Sequence, residues 1–216
     1  MLTAGGSRVW NAVACAVKKH GNTETGLVPP KNIGESKAVF FEAINIQTRG
    51  VESMMTVAQI MEKMIAFSEG NIHDITHLSC VWTYAKTIGE LEGLDKETQF
   101  ILEVAAITHD IACPLCRKKY GNTNGKYQEL EGAPMVREFL ADTGMTAAQV
   151  DRVAYLVGHH HSPAQIDGID YQILIEADYI VNASESGYSR QSIQTFMERT
   201  MKTAAAIRLT KTVFGL

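Results

Sequence analysis

The sequence predicts an all-α fold, a multi-helix bundle in one domain, and three observations carry that expectation. Apolar residues recur at helical spacing from residue 54 to the C-terminus. Capping signals open several of these stretches, with Thr56 followed by Gln59 and Thr146 by Gln149 in capping-box spacing. No hairpin signal and no sustained strand alternation interrupts them. With 216 residues and 45% hydrophobic content, the chain can bury a substantial core in a single domain.

Residues 1–53 are set apart. Gly5-Gly6, Gly21, Gly26, Pro29-Pro30 and Gly34 break any long periodicity, so a poorly ordered N-terminal extension is expected. Met54 or Met55 reads as the authentic start, with the residues before it a mis-assigned extension. The domain proper then spans 54–216. Its first helix places Val57, Ile60, Met61 and Met64 on one face. Asp74 is positioned to cap a second helix running to about Glu92, with Leu78, Val81, Trp82, Ala85 and Ile88 as its apolar stripe. Asp95 can cap a third, which carries Phe100, Ile101, Val104, Ala105 and Ile107 into His109-Asp110. Cys113-Pro114 should end it, because proline cannot donate and disfavours the helical region for its predecessor.

A polar loop from Arg117 to Gly125 is expected next, then a helix ending near Gly144. Val150, Val153, Ala154 and Val157 carry the following helix to His159-His160-His161. Asp170 opens another, with Ile173, Leu174, Ala177, Ile180 and Val181 facing inward around Asp178. A final amphipathic helix is expected from about Ser192 to Val213, with Ile193, Phe196, Met197 and Met201 at helical spacing.

Composition excludes several classes of function. The 20 Lys and Arg against 24 Asp and Glu give a net charge of −4, without the basic field that long nucleic acids require. No apolar stretch of the roughly 18 residues needed to span a bilayer is apparent, so no membrane partner is expected. The four cysteines, Cys15, Cys80, Cys113 and Cys116, do not form a secreted disulfide framework. The segment from Arg8 to Val17 imitates a signal peptide poorly, with Asn11 interrupting it. A soluble, cytoplasmic protein is expected, and a homodimer stays open.

Chemistry concentrates on four residues. His77 lies four residues before Val81 and eleven before Ile88, within the buried stripe. Asp74, three residues earlier, can accept from its far ring nitrogen and orient the imidazole. His109 extends the row of Ile101 and Ala105, and Asp110 follows it, rotated by about 100°. Asp178 occupies an inward position between Leu174 and Val181. Ionised carboxylates are too costly in a core unless they are paired or coordinate a metal.

His77, His109-Asp110 and Asp178 resemble the signature of the HD-domain superfamily of metal-dependent phosphohydrolases: a histidine, a His-Asp pair, then a distant aspartate. The local contexts agree, with Asn71-Ile72-His73-Asp74-Ile75-Thr76-His77, Ala106-Ile107-Thr108-His109-Asp110-Ile111 and Glu176-Ala177-Asp178-Tyr179-Ile180-Val181-Asn182. The resemblance covers roughly residues 54–216 and implies an HD-domain bundle. It also implies that His77, His109, Asp110 and Asp178 hold a divalent ion, with Asp110 the residue assigned to catalysis. Mn, Fe, Co, Ni or Zn would suit two nitrogens and two carboxylates. The implied activity is hydrolysis of a phosphate ester by metal-activated water, the substrate being a nucleotide or another small phosphorylated metabolite.

Many binuclear members carry further histidines between the pair and the last aspartate. Glu131-Gly132 resembles the position of a His-Gly in such members, and His159 and His160 resemble their later histidines, so Glu131, His159 and His160 are candidates for a second ion. A first-turn acid and a solvated helix end are the competing readings. Many members also read His-Asp-x-x-Lys, where this chain has Cys113. Arg117, Lys118, Lys119 and Lys126 follow and are candidates for binding phosphate, against the commoner meaning of a solvated basic loop. Cys113-Pro114-Leu115-Cys116 has no second such pair to complete a zinc cluster, and reads as packing beside the site. Two alternatives stand beside hydrolysis: a di-iron oxygenase on the same scaffold, and a non-catalytic regulatory or binding module stabilised by the same ligands.

Overall fold

Thr56 and Gln59 cap the start of the first helix among the described residues reciprocally. The Gln59 side chain accepts from the Thr56 amide at 2.8 Å, and the Thr56 hydroxyl accepts from the Gln59 amide at 3.3 Å. Helix α1 (Val57–Phe67) follows, in a computed structural model that describes residues 54–216. The extension expected over residues 1–53 lies outside the described residues. Helices α2 (Ile72–Glu92), α3 (Lys96–Thr108), α4 (Cys113–Tyr120), α5 (Gly125–Leu140), α6 (Ala147–Val157), α7 (Ile169–Glu185), α8 (Arg190–Arg199) and α9 (Ala204–Phe214) complete the order. Among the described residues there is no strand, and the fold is all-α as expected.

Helices α2, α3 and α7 pack on one another at the centre, and α6 and α1 also lie against α3. Helix α7 is buried on every face from Asp170 to Asp178, as a helix at the middle of a bundle must be. Leu174 is fully buried there, so its truncation to alanine would cost about 2–5 kcal/mol. Helices α5 and α6 approach closely because Gly132 sits against Val157, where a Cβ would lie 2.9 Å from Cγ1. This contact gives Gly132 of the Glu131-Gly132 pair a packing role.

Several boundaries differ from the sequence reading, each for a local reason. Asn71, not Asp74, caps α2, accepting from the Asp74 amide at 3.2 Å. Helix α3 stops at Thr108, and Pro114 helps to start α4 instead of ending α3, since proline is tolerated in a first turn where its missing N–H costs nothing. The expected loop after Arg117 is therefore helical as far as Tyr120. The last amphipathic stretch is two helices. Buried Glu176 accepts from the backbone amides of Lys202 and Thr203, at 2.5 and 3.1 Å, and holds the break between them. The run Lys96–Tyr120 is long and apolar enough by composition to cross a bilayer, contrary to expectation, but 67% of its apolar window is buried inside the bundle.

Candidate metal centre

Three helices deliver the four residues singled out in the sequence to one place. His77 projects from the buried face of α2, His109 and Asp110 from the turn that follows α3, and Asp178 from the middle of α7. His77 Nε2 lies 3.2 Å from His109 Nε2 and 3.3 Å from Asp178 Oδ1. His109 Nε2 lies 3.4 Å from the same Asp178 oxygen. Asp110 completes the group, with Oδ2 3.7 Å from His77 Nε2 and Oδ1 3.8 Å from His109 Nε2. Coordination bonds of about 2.1 Å set neighbouring donors roughly 3.0–3.4 Å apart around an ion. The tighter three separations fall in that range.

The tautomers point the same way. His77 Nδ1 is 2.9 Å from Glu185 Oε2, and His109 Nδ1 is 2.9 Å from the Ala106 carbonyl. Nδ1 of His160 is 2.8 Å from the Val157 carbonyl. An acceptor at each Nδ1 places the ring proton there and leaves Nε2 with a lone pair. Two Nε2 atoms facing each other at 3.2 Å, with two carboxylates beside them, are placed to share a cation, either a metal ion or the proton that His77 holds in its absence. His160 Nε2 is buried without a hydrogen-bond partner, and so is Oε1 of Gln128 in the same cavity. The donor set fits a divalent ion on these grounds.

Electrostatics agree. Burial disfavours the charged form of His77, but Asp178, Asp110 and Glu185 outweigh it and push its pKa to about 9. Burial would raise Asp110 and Asp178, yet the surrounding imidazoles hold both well below the usual carboxylate range. The Cys113 thiol is pushed up by burial and by Asp110, so it stays neutral and packs beside the site.

A second group adjoins the first. Asp110 Oδ1 is 3.4 Å from His160 Nε2, and Asp110, His160 and His161 have donor atoms close enough to share an ion. Of the second set expected from the sequence, only His160 is present here. His159 turns away, bonding the Tyr155 carbonyl at 2.7 Å and stacking on the Tyr155 ring, because successive residues in a turn point in different directions. Glu131 lies outside the cavity, accepting from Lys119 at 2.7 Å and Tyr120 at 2.5 Å.

Asp74 does not orient His77 as expected. It pairs with Arg117 across the cavity mouth, and Glu185 takes the place beside the imidazole. Arg117 alone among the basic candidates lines the cavity. Lys119 is engaged by Glu131, Lys126 lies over the Tyr127 ring at 4.6 Å, and Lys118 does not reach the lining. The sequence reading also missed His161, Glu185 and Asn182, whose Nδ2 donates to Asp178 at 2.8 Å. Glu185 and Asn182 follow Asp178 by seven and four residues, a helical spacing that marks them as belonging to one face.

The HD domain family model matches residues 74–191, which include every member of the inner cluster and Glu185. The chain belongs to the HD domain family. Among solved structures, a predicted HD superfamily hydrolase from an uncultured Thermotogales bacterium shares the fold, with a TM-score of 0.56 and 20% identity, over 78% of this chain and 91% of that one. The Lin1889 protein from Listeria innocua is similar at a TM-score of 0.48 and 17% identity, over 73% of this chain and 88% of that one. No curated protein matches the sequence significantly. The HD pair itself, His109-Asp110, is the element shared by both groups of donors, through Asp110.

Proposed function

We propose that this HD domain hydrolyses a phosphate ester of a small molecule, using a divalent ion held by His77, His109, Asp110 and Asp178. One observation carries the proposal: imidazoles with Nδ1 tied to acceptors turn bare Nε2 atoms toward a pair of carboxylates. Asp110, His160 and His161 would hold a second ion beside the first. Bound there, such an ion supplies an acidified water and offsets charge on the phosphoryl oxygens.

The chain's own residues do the rest. Glu185 and the Ala106 carbonyl fix the tautomers of His77 and His109, and Asn182 fixes the Asp178 carboxylate. Arg117 at the mouth meets the phosphate, exchanging its bond to Asp74 for one to a phosphoryl oxygen. The cavity, of about 460 Å³, accommodates a small metabolite and not a duplex. Cys113 serves neither as nucleophile nor as base, because its thiol stays protonated.

Paired substitutions test this. Asp110→Ala should remove both bound metal and turnover of phosphate esters, while Cys113→Ser should leave hydrolysis within a few-fold of wild type. Loss of turnover in Cys113→Ser with retention in Asp110→Ala would overturn the mechanism.

A further inference from the structure

Gln128 lines the cavity beside the histidine turn and belongs to neither group of donors described above. Its side chain is buried, and Nε2 donates to the Thr123 carbonyl at 2.8 Å. Only the nitrogen of an amide can donate to a carbonyl, so the orientation of the group is settled and Oε1 points the other way. That oxygen is closed off from solvent and, among the described residues, has no hydrogen-bond partner. Acceptors left in that condition are costly and rare.

The face of α5 that carries Gln128 shows where its oxygen lies. A Cβ at Gly125 would sit 2.6 Å from the His161 ring, and one at Gly132 would sit 2.9 Å from Val157 Cγ1 and 4.0 Å from the Ala112 Cβ. Gln128 is three residues after the first glycine and four before the second, on the same face of the helix. It is therefore bracketed by the turn bearing His160 and His161 and by the segment that follows Asp110. His160 Nε2, 3.4 Å from Asp110 Oδ1, is the other atom lining this cavity that is buried without a hydrogen-bond partner. With its ring proton on Nδ1, it is an acceptor as well. Both atoms lack the same thing, a centre of positive charge.

We infer that Gln128 Oε1 is a ligand of the outer cation, joining Asp110, His160 and His161. The inference rests on the second ion of the reading above and is independent of the reaction. A bare cation is smaller than a water molecule and needs no hydrogen to share, so it satisfies two acceptors that solvent does not reach. Amide carbonyl oxygens suit hard divalent ions, Mn among the candidates, which makes Mn the probe.

Calorimetric titration of the chelator-stripped full chain with Mn chloride, without any ester, reads the two binding steps. Wild type should take up two Mn per chain. Gln128→Met, close in length but without an amide, should weaken the second step at least about tenfold and leave the first unchanged, since even groups that only orient a ligand alter metal affinity by roughly 10–100-fold. Gln128→Glu keeps an oxygen at that position and should retain the second step. In chelator the Tm of Gln128→Met should hold, because relief of the unpaired oxygen offsets the lost bond to Thr123. Should Gln128→Met fail to fold, Gln128→Asn, which withdraws the oxygen by one methylene, carries the same expectation. A single Mn in wild type, or two Mn bound by Gln128→Met as tightly as by wild type, would overturn the inference. A lower metal-free Tm in Gln128→Met with both Mn steps intact assigns Gln128 to packing alone and overturns it too. Turnover is a separate readout: metal-loaded wild type that cleaves no phosphate ester sinks the hydrolase reading and leaves the Mn titration to decide Gln128.

Discussion

Removing metal should expose a fall of stability with rising pH that bound metal cancels, and His77 sets the size of the effect. In the metal-free protein its folded pKa is about 9 against 6.5 for the free side chain. A raised folded pKa gives stability that is fully present below 6.5 and is lost as pH rises through 9. That difference corresponds to about 3 kcal/mol, or roughly 6–12 °C in Tm for a domain of this size. Asp110 and Asp178 do not interfere, because their lowered pKa values place their losses far on the acid side. His160 is also raised and adds with the same sign, so a His77→Gln variant is needed to isolate the contribution. With a saturating divalent ion the profile should be flat over this range, since the ion must displace the proton on His77 and its apparent affinity, strengthening about tenfold per pH unit up to 9, offsets the loss. The assay is thermal unfolding between pH 6.5 and 9, in chelator and in saturating Mn. A flat profile in chelator, or an equal fall in His77→Gln, would refute the account of His77.

Two further outcomes are expected. Glu185→Gln keeps the shape beside His77 but weakens its hold on the imidazole, and should lower metal affinity by about 10–100-fold in a calorimetric titration while the fold persists. Gly125→Ala would place a Cβ 2.6 Å from the His161 ring, so elemental analysis should find one ion per chain where two are expected for wild type, with little change in Tm.

The legible parts of this chain are those decided locally. Capping boxes at Thr56 and Thr146 appear as read, because their partners lie three residues away. His77, His109, Asp110 and Asp178 stood out as polar residues on apolar faces, a pattern visible within each helix. What failed depended on tertiary geometry. Asp74 was assigned to His77 by helical spacing, but Arg117, far along the chain, competes for its carboxylate. The triple histidine announced donors without showing which rings would turn inward. The path of that turn is held by a distant residue, Glu129, which accepts from the His161 amide at 3.1 Å and the Ser162 hydroxyl at 2.9 Å. The break at Thr200–Thr203 is set by Glu176, whose acid sits on another helix.

Tyr171 reaches from α7 to the histidine turn and donates to the carbonyls of His159 and Ser162. Its hydroxyl grips main chain, so the turn bearing His160 and His161 is clamped without constraining either ring directly. The deep donors come from the bundle's spine, whereas His160 and His161 ride on a buckle fastened by one phenol and the Glu129 carboxylate. Two cations seated here would exchange at unequal speeds: the inner as a long-term resident, the outer as a visitor whose stay is timed by that fastening.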